Sequence, residues 1–171
     1  MADVHLLFTA HRDGVFRYLC RIVGQGEARD LTQEVFLRVA RGPVPEASEE
    51  AQRAWVFRIA RNLALNHMRD GQRQPVTVEL SDASRPATQE IAAALHEALG
   101  SLAALDRDVF LLREAAGLTY DEIALALELS ADAVRSRLHR ARQQLREVLR
   151  PLLGAAHSQN VRLYDTHRPP S

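Results

Sequence analysis

Apolar residues recur along this chain every three or four positions, which is the spacing of amphipathic helices, and the alternation typical of strands is scarce. In one such segment the pattern places Val56, Ile59 and Leu63 on the same face. Glycine and proline interrupt the pattern between segments. The pattern predicts an all-α fold whose first helices cover about residues 3–23, 30–41 and 52–69, the second opening at a capping box formed by Asp30 and Gln33.

The helical pattern stops between residues 71 and 87, where two prolines and scattered polar residues favour a flexible linker. We therefore expect two small helical domains, residues 1–70 and 88–153. The last helix should stop at Pro151, because proline removes a backbone hydrogen bond and clashes with the preceding turn. Residues 154–171 are predicted to be a disordered tail.

The second domain contains the pattern of a helix-turn-helix. Thr119 and Glu122 form a capping box that opens a helix running to Leu127. A three-residue turn follows, and Ser130 caps the next helix. We expect mild strain at Glu128 in that turn if its φ is positive. Apolar spacing predicts that the first helix buries Ile123, Ala124 and Leu127, and that the second buries Val134, Leu138, Ala141 and Leu145.

The opposite face of the second helix is polar and rich in arginine. Arginine donates to phosphates and to guanine edges, so this face suits a helix lying in a major groove. The alternative is a solvated basic face on a helix that only packs. The candidate DNA-binding residues on this helix are Arg135, Ser136, His139, Arg140, Arg142 and Gln143.

The distribution of charge is more informative than its sum. Formal net charge is zero, and all 22 basic residues are arginine, a preference that a GC-rich genome explains. Six arginines lie between Arg135 and Arg150, and five lie between Arg53 and Arg73, each group beside a single acid. Two basic segments on a neutral chain predict two separate contacts with a polyanion.

Two motifs together resemble the extracytoplasmic-function sigma factors of bacterial RNA polymerase. The first is Asp30-Leu-Thr-Gln-Glu-Val-Phe-Leu-Arg-Val followed by Trp55-Val-Phe-Arg-Ile-Ala-Arg-Asn-Leu-Ala-Leu-Asn-His-Met-Arg. The second is Leu118-Thr-Tyr-Asp-Glu-Ile-Ala followed by Ser136-Arg-Leu-His-Arg-Ala-Arg. The resemblance covers about residues 5–150. It implies a region 2 helical bundle and a region 4 helix-turn-helix in a transcription initiation factor that directs core RNA polymerase to specific promoters.

The resemblance also implies roles for individual residues. The helix from 30 to 41 would bind the clamp helices of the largest polymerase subunit through Asp30, Gln33, Glu34 and Arg38. The helix from 52 to 69 would hold the opened −10 strand through Arg58, Arg61, Asn62, Asn66 and Arg69. The last helix would read the −35 duplex, and an anti-sigma protein is a further candidate partner. Simpler roles remain open: Asp30 as a cap, Glu34 and Arg38 as an ion pair, and Trp55 as a core residue.

Two other classes of function compete with this interpretation. A stand-alone helix-turn-helix regulator would need a dimer interface, and the sequence shows no heptad seam for one. An enzyme would need a constellation such as HExxH, a glycine-rich phosphate loop or GxSxG, and none occurs. The single cysteine, Cys20, excludes an intrachain disulfide and a cysteine-based zinc site. We therefore expect a cytoplasmic, non-enzymatic protein without cofactor, metal or membrane insertion.

Overall fold

The computed structural model describes residues 4–70 and 86–165, with side chains described for residues 4–70 and 92–151. These residues form helices and no strand, which confirms the all-α prediction for this part of the chain. Nearly all of the predicted linker, 71–85, lies outside the described residues, as does 166–171. The helices are α1 (Val4–Val23), α2 (Gln25–Arg41), α3 (Glu49–Arg69), α4 (Pro86–Ser101), α5 (Ala104–Glu114), α6 (Tyr120–Leu127) and α7 (Ala131–Asp165).

The start of α2 differs from the prediction. Gly24, with a φ of 87°, joins α1 to α2 directly, and α2 begins at Gln25. Ala28 is fully buried, and its carbonyl accepts a hydrogen bond from the Thr32 hydroxyl at 2.6 Å, so the chain is already helical before Asp30. The predicted capping box of Asp30 and Gln33 was therefore wrong. Burial of the preceding turn outweighed the local capping preference.

Helix α3 begins after Ser48, whose hydroxyl accepts from the Ala51 N–H at 3.3 Å. Val56 and Leu63 are buried as predicted, and Ile59 is partly buried. Trp55 is partly buried and packs against the core, which agrees with its interpretation as a core residue.

The helix-turn-helix forms with the predicted bounds. Thr119 Oγ1 accepts from the Glu122 N–H at 3.2 Å, and the Glu122 carboxylate accepts from the Thr119 N–H at 2.7 Å. After the turn, Ser130 Oγ accepts from the Ala133 N–H at 3.1 Å. The predicted interior of α7 is confirmed in full, whereas α6 buries Ile123 and Ala126 and leaves Ala124 and Leu127 only partly buried.

Glu128 in this turn adopts the left-handed conformation, with φ 57° and ψ 45°. A residue with a Cβ is disfavoured there by about 1 kcal/mol relative to glycine. We expect Glu128→Gly to raise the free energy of unfolding by about 0.5–1 kcal/mol in urea denaturation, despite losing the exposed ion pair with Arg58. Glu128→Gln is the control, because it removes the carboxylate and keeps the backbone strain. An equal gain from both variants would contradict a backbone origin.

The end of α7 also differs from the prediction. The helix continues through Pro151 to Asp165 instead of stopping at the proline, and this stretch includes most of the predicted disordered tail. Proline within a helix removes one backbone hydrogen bond and favours a kink, but its φ remains compatible with helix. Flanking helix formers such as Leu149, Leu152 and Leu153 therefore carry the helix past it.

The N-terminal helices α1–α3 and the C-terminal helices α4–α7 pack against each other rather than standing apart. Helix α3 lies along α6, and α1 touches α5. Phe57 is buried with its ring edge-on to Tyr18 at 6.1 Å, and its tip lies 3.3 Å from where a Cβ on Gly14 would be. Buried residues of both halves form one continuous apolar cluster.

Candidate nucleic-acid interface

The outer face of α7 is exposed, as predicted. Val134, Leu138 and Ala141 turn inward, and the six candidate DNA-binding residues of this helix all lie at exposed positions. Arg135 is held at the start of the face, because its guanidinium bonds Asp132 at 2.5 Å and lies 5.9 Å from the centre of the Tyr120 ring. The helix therefore presents polar side chains in a row that could enter a groove of duplex DNA.

Two of the candidate DNA-binding arginines of α7, Arg140 and Arg142, form ion pairs with α5. Arg142 turns back and donates to Glu114 at 2.6 Å, an interaction that raises the pKa of the arginine. Arg140 contacts Asp106, a residue only 8% exposed that also accepts from Arg137 at 2.8 Å. Burial raises the pKa of the Asp106 carboxyl, but hydrogen bonds and charge from the two arginines outweigh it, and the pKa lies below its ordinary value. The carboxylate is therefore ionised at neutral pH.

The five candidate residues on α3 divide into two groups. Asn62, Asn66 and Arg69 are exposed on one side of the helix, at helical spacing. Arg69 donates to Asn66 Oδ1 at 2.6 Å, which places a guanidinium and an amide side by side. This group has the composition of a surface for a single strand, with an amide for base edges and a cation for phosphate.

The second group, Arg58 and Arg61, faces the C-terminal helices instead. Arg61 Nε donates to Asp108 Oδ2 at 2.7 Å, and Asp108 is only 3% exposed. Arg58 donates to the Leu125 carbonyl at 2.5 Å and pairs with Glu128 at 3.1 Å. In this arrangement the two arginines hold α3 against α5 and α6 and do not present their charge to a phosphate backbone.

Arg53 is a residue whose position the sequence did not predict. Its Nη1 lies 3.2 Å from Glu122 Oε2, and its Nη2 donates to the carbonyls of Ala116 at 3.0 Å and Gly117 at 3.3 Å. One arginine of α3 thus binds both the capping box of α6 and the turn between α5 and α6. The sequence did contain one indication that α3 packs against the C-terminal helices. Asp108 lies among Leu105, Val109 and Leu112 on the apolar face of its own helix, where a charged residue needs a partner.

The outer face of α2 carries the candidate polymerase contacts. Asp30, Gln33 and Arg38 are exposed, and Glu34 is half-buried and accepts from Arg38 Nε at 2.8 Å. The same face borders an open groove, and Leu37 at its edge is 48% exposed. The groove is lined by Val4, His5, Phe8, Gln33, Phe36 and Leu37. An apolar groove beside a polar row has the composition expected of a protein-binding surface.

No metal-like cluster of three or more histidine, cysteine or acidic side chains occurs within 4–70 and 92–151. Among the described helices, none has the length and apolar character required to cross a bilayer.

Two family models match the chain. The sigma-70 region 2 model matches residues 7–74, and the sigma-70 region 4 model matches residues 89–145. Over 155 residues the chain is 37% identical to the ECF RNA polymerase sigma factor SigE of Mycolicibacterium smegmatis, covering 84% of this chain and 60% of that protein. Over 170 residues it is 32% identical to the RNA polymerase sigma-H factor of Pseudomonas aeruginosa, covering 88% of each.

Two solved structures share the fold. The structure of CnrH in complex with the cytosolic domain of CnrY has a TM-score of 0.63 at 25% identity, covering 86% of this chain and 88% of that one. RpoE of Bartonella quintana, solved with the anti-sigma factor NepR, has a TM-score of 0.64 at 20% identity, covering 85% and 96%. The helix order described above is therefore shared with other solved chains.

Proposed function

Since the chain belongs to the extracytoplasmic-function group of sigma-70 family RNA polymerase sigma factors, we propose that it binds core polymerase through α2, reads a −35 duplex through α7 and holds an opened −10 strand on α3. It is an alternative sigma factor for transcription initiation. The observation that supports these assignments most directly is the exposed polar face of α7, set on a buried apolar row within a complete helix-turn-helix.

We propose that the clamp helices of the largest polymerase subunit bind the face of α2 formed by Asp30, Gln33, Glu34 and Arg38. The adjacent groove, with exposed Leu37 at its edge, would supply apolar contact. The test is co-elution of the full chain with core polymerase in gel filtration. A Leu37→Asp variant should elute separately, whereas Leu125→Asp, equally exposed at 48% but on α6, should still co-elute. Co-elution of the Leu37 variant would contradict this surface.

For the −35 element we propose that Arg135, Ser136, His139, Arg140, Arg142 and Gln143 contact the duplex. Arg135 lies just after the first turn of α7, close to the helix N-terminus, whose partial positive charge also attracts phosphate. Arg140 lies farther along the exposed face, in a position to reach base edges.

We expect Arg140→Ala to weaken binding of the preferred −35 sequence by about 1–3 kcal/mol and to relax the preference at one position. Arg135→Ala should weaken binding similarly on all sequences, because phosphate contacts carry no base information. Competition binding of the polymerase holoenzyme to promoter duplexes with single −35 substitutions measures both effects. Equal losses on all duplexes for both variants would contradict the assignment.

For the −10 element we propose that Asn62, Asn66 and Arg69 contact the opened strand, joined by Arg58 and Arg61 once those two side chains leave their present partners. A basic track with amide groups suits unpaired bases and their phosphates. Stabilising an already unstacked strand needs no covalent chemistry, which supports a non-enzymatic function.

The packed arrangement of the two halves cannot serve both promoter elements at once. Helices in contact lie about 8–10 Å apart, so α3 and α7, each packed on α6, are separated by at most about 20 Å. The −10 and −35 elements are some 25 base pairs apart, or about 85 Å along B-form DNA. Direct contact between the halves is therefore incompatible with simultaneous engagement of both elements.

We accordingly propose that the halves separate when the holoenzyme binds promoter DNA, as residues 1–70 and 88–153 joined by a linker. The covalent reach allows it, because the 17 linking residues can extend to about 60 Å and the width of the two halves adds the remainder of the distance. The polar part of the interface can separate reversibly. Asp108 and Glu122 are buried and each pairs with an arginine of α3, so separation exposes both ion pairs to water. Opening would release Arg58 and Arg61 for the −10 strand.

Because the chain is proposed to bind core RNA polymerase, we propose a cytoplasmic location for it. An inhibitory protein of the anti-sigma class is a further proposed partner, because the similar CnrH was solved bound to the cytosolic domain of a second protein, CnrY. The alternative function, a stand-alone helix-turn-helix regulator, would bind promoter DNA without polymerase and would not start transcripts.

A further inference from the structure

Asp106 is a buried carboxylate that lies beneath the exposed polar face of α7. It lies at the start of α5 and accepts from Arg137 Nη1 at 2.8 Å. It also accepts from Arg140 at two atoms, Nε and Nη2, each at 3.3 Å. Arg137 is 29% exposed and leans inward, whereas Arg140 is 56% exposed and reaches the surface. The Asp106 carboxylate therefore bonds both a partly buried arginine, Arg137, and an exposed one, Arg140.

The geometry of the pair between Asp106 and Arg140 determines which N–H donors of the guanidinium are left for another partner. An arginine has five N–H donors in a fixed plane. Asp106 engages the edge formed by Nε and Nη2, with Oδ2 on the first and Oδ1 on the second. The edge formed by Nη1 and the second Nη2 hydrogen is not used by Asp106. Two parallel donors of this kind match the O6 and N7 acceptors of guanine in the major groove.

We propose that Asp106 is a positioning residue for promoter recognition: it fixes the Arg140 guanidinium so that its outer edge faces a base of the −35 element. This inference rests on the proposed function, in which α7 reads the −35 duplex. A long side chain that is already oriented loses less conformational freedom when it binds, so a fixed arginine discriminates better between bases than a mobile one. Arg137 neutralises the rest of the carboxylate and keeps it from drawing Arg140 inward.

The chain offers a matched comparison for this role. Glu114 also lies on α5 and also pairs with an arginine of α7, bonding Arg142 Nη2 at 2.6 Å. That pair is half exposed on both sides and uses one donor of the guanidinium. A carboxylate that only ties α5 to α7 would behave like Glu114. A carboxylate that orients a base-reading arginine would change sequence preference when neutralised.

The experiment uses holoenzyme assembled from the full chain and the core polymerase of its host. Run-off transcription from a promoter library with a randomised −35 element, followed by sequencing of templates and transcripts, gives the base preference at each position. The variants are Asp106→Asn, Glu114→Gln and Arg140→Ala. Each preference is a ratio within one sample, so partial unfolding, which lowers all transcripts equally, does not alter it.

We expect the wild type to prefer guanine at one −35 position by about tenfold or more, and Arg140→Ala to remove that preference. Asp106→Asn should lower the same preference at least about threefold and leave other positions unchanged. Glu114→Gln releases Arg142 and not Arg140, so it should leave the preference at this position unchanged. A uniform loss for Asp106→Asn, or an equal effect of Glu114→Gln, would overturn the positioning role alone. A flat profile for the wild type would overturn the proposed function as well.

Discussion

Linking α3 to α6 covalently is expected to suppress transcription by about a hundredfold, if roughly 1% of the molecules escape the link and remain able to open. The link joins cysteines placed at Arg58 and Leu125, whose side chain and carbonyl meet at 2.5 Å across the interface. A bismaleimide with a disulfide in its spacer connects them in a Cys20→Ser background. The reason for the loss is geometric, because α3 and α7, held about 20 Å apart, cannot reach promoter elements about 85 Å apart.

Each linked sample serves as its own control. Reductant cleaves the spacer without changing the protein sequence, so transcription should return to the level of the unlinked double variant. Single-cysteine variants treated with the same reagent should show no loss. If the linked protein transcribes as well as the cleaved one, the halves need not separate and the proposed opening is wrong.

Replacing Phe57 by alanine is expected to lower the free energy of unfolding by about 3–5 kcal/mol. Phe57 is 1% exposed, lies edge-on to Tyr18 and fills space beside Gly14, so little can collapse into the cavity. The Tyr18 hydroxyl is itself buried and finds no hydrogen-bond partner among the described residues, and burial raises its pKa. Urea denaturation of the full chain measures the change as a shift of the midpoint.

Phe8→Ala is the matched control, because Phe8 also forms an edge-on pair, with Phe36 at 4.9 Å, but is 37% exposed. Its loss should cost about 1–1.5 kcal/mol. Similar losses from the two variants would contradict the view that the region around Phe57 is the rigid centre of the fold.

The local features of the fold were predictable where one short pattern decides them. The capping box of Thr119 and Glu122, the turn through Glu128 and the buried row of α7 all depend on residues within a few positions of each other. Where a distant contact competes, the same kind of pattern failed. Asp30 resembles a cap, but burial of the turn before it starts α2 at Gln25 instead.

The candidate site also contains features that were predictable from local sequence and features that were not. The exposed row on α7 and the group of Asn62, Asn66 and Arg69 follow from helical periodicity, and the family resemblance supplies their proposed roles. The partners of Arg58 and Arg61 could not be predicted, because an arginine on a helix surface pairs equally well with a phosphate or with an acid about 50 residues or more further along the chain. Only the tertiary packing of α3 on α5 and α6 decides between them.

Run-off transcription with purified core polymerase, with and without the full chain, tests the central claim most directly. The template is the upstream region of the gene that encodes the chain. If the chain is a sigma factor that reads one promoter element as duplex and the other as an opened strand, a discrete transcript should appear only when it is added. Binding of the template without a transcript, or failure to associate with the core enzyme, would contradict the account.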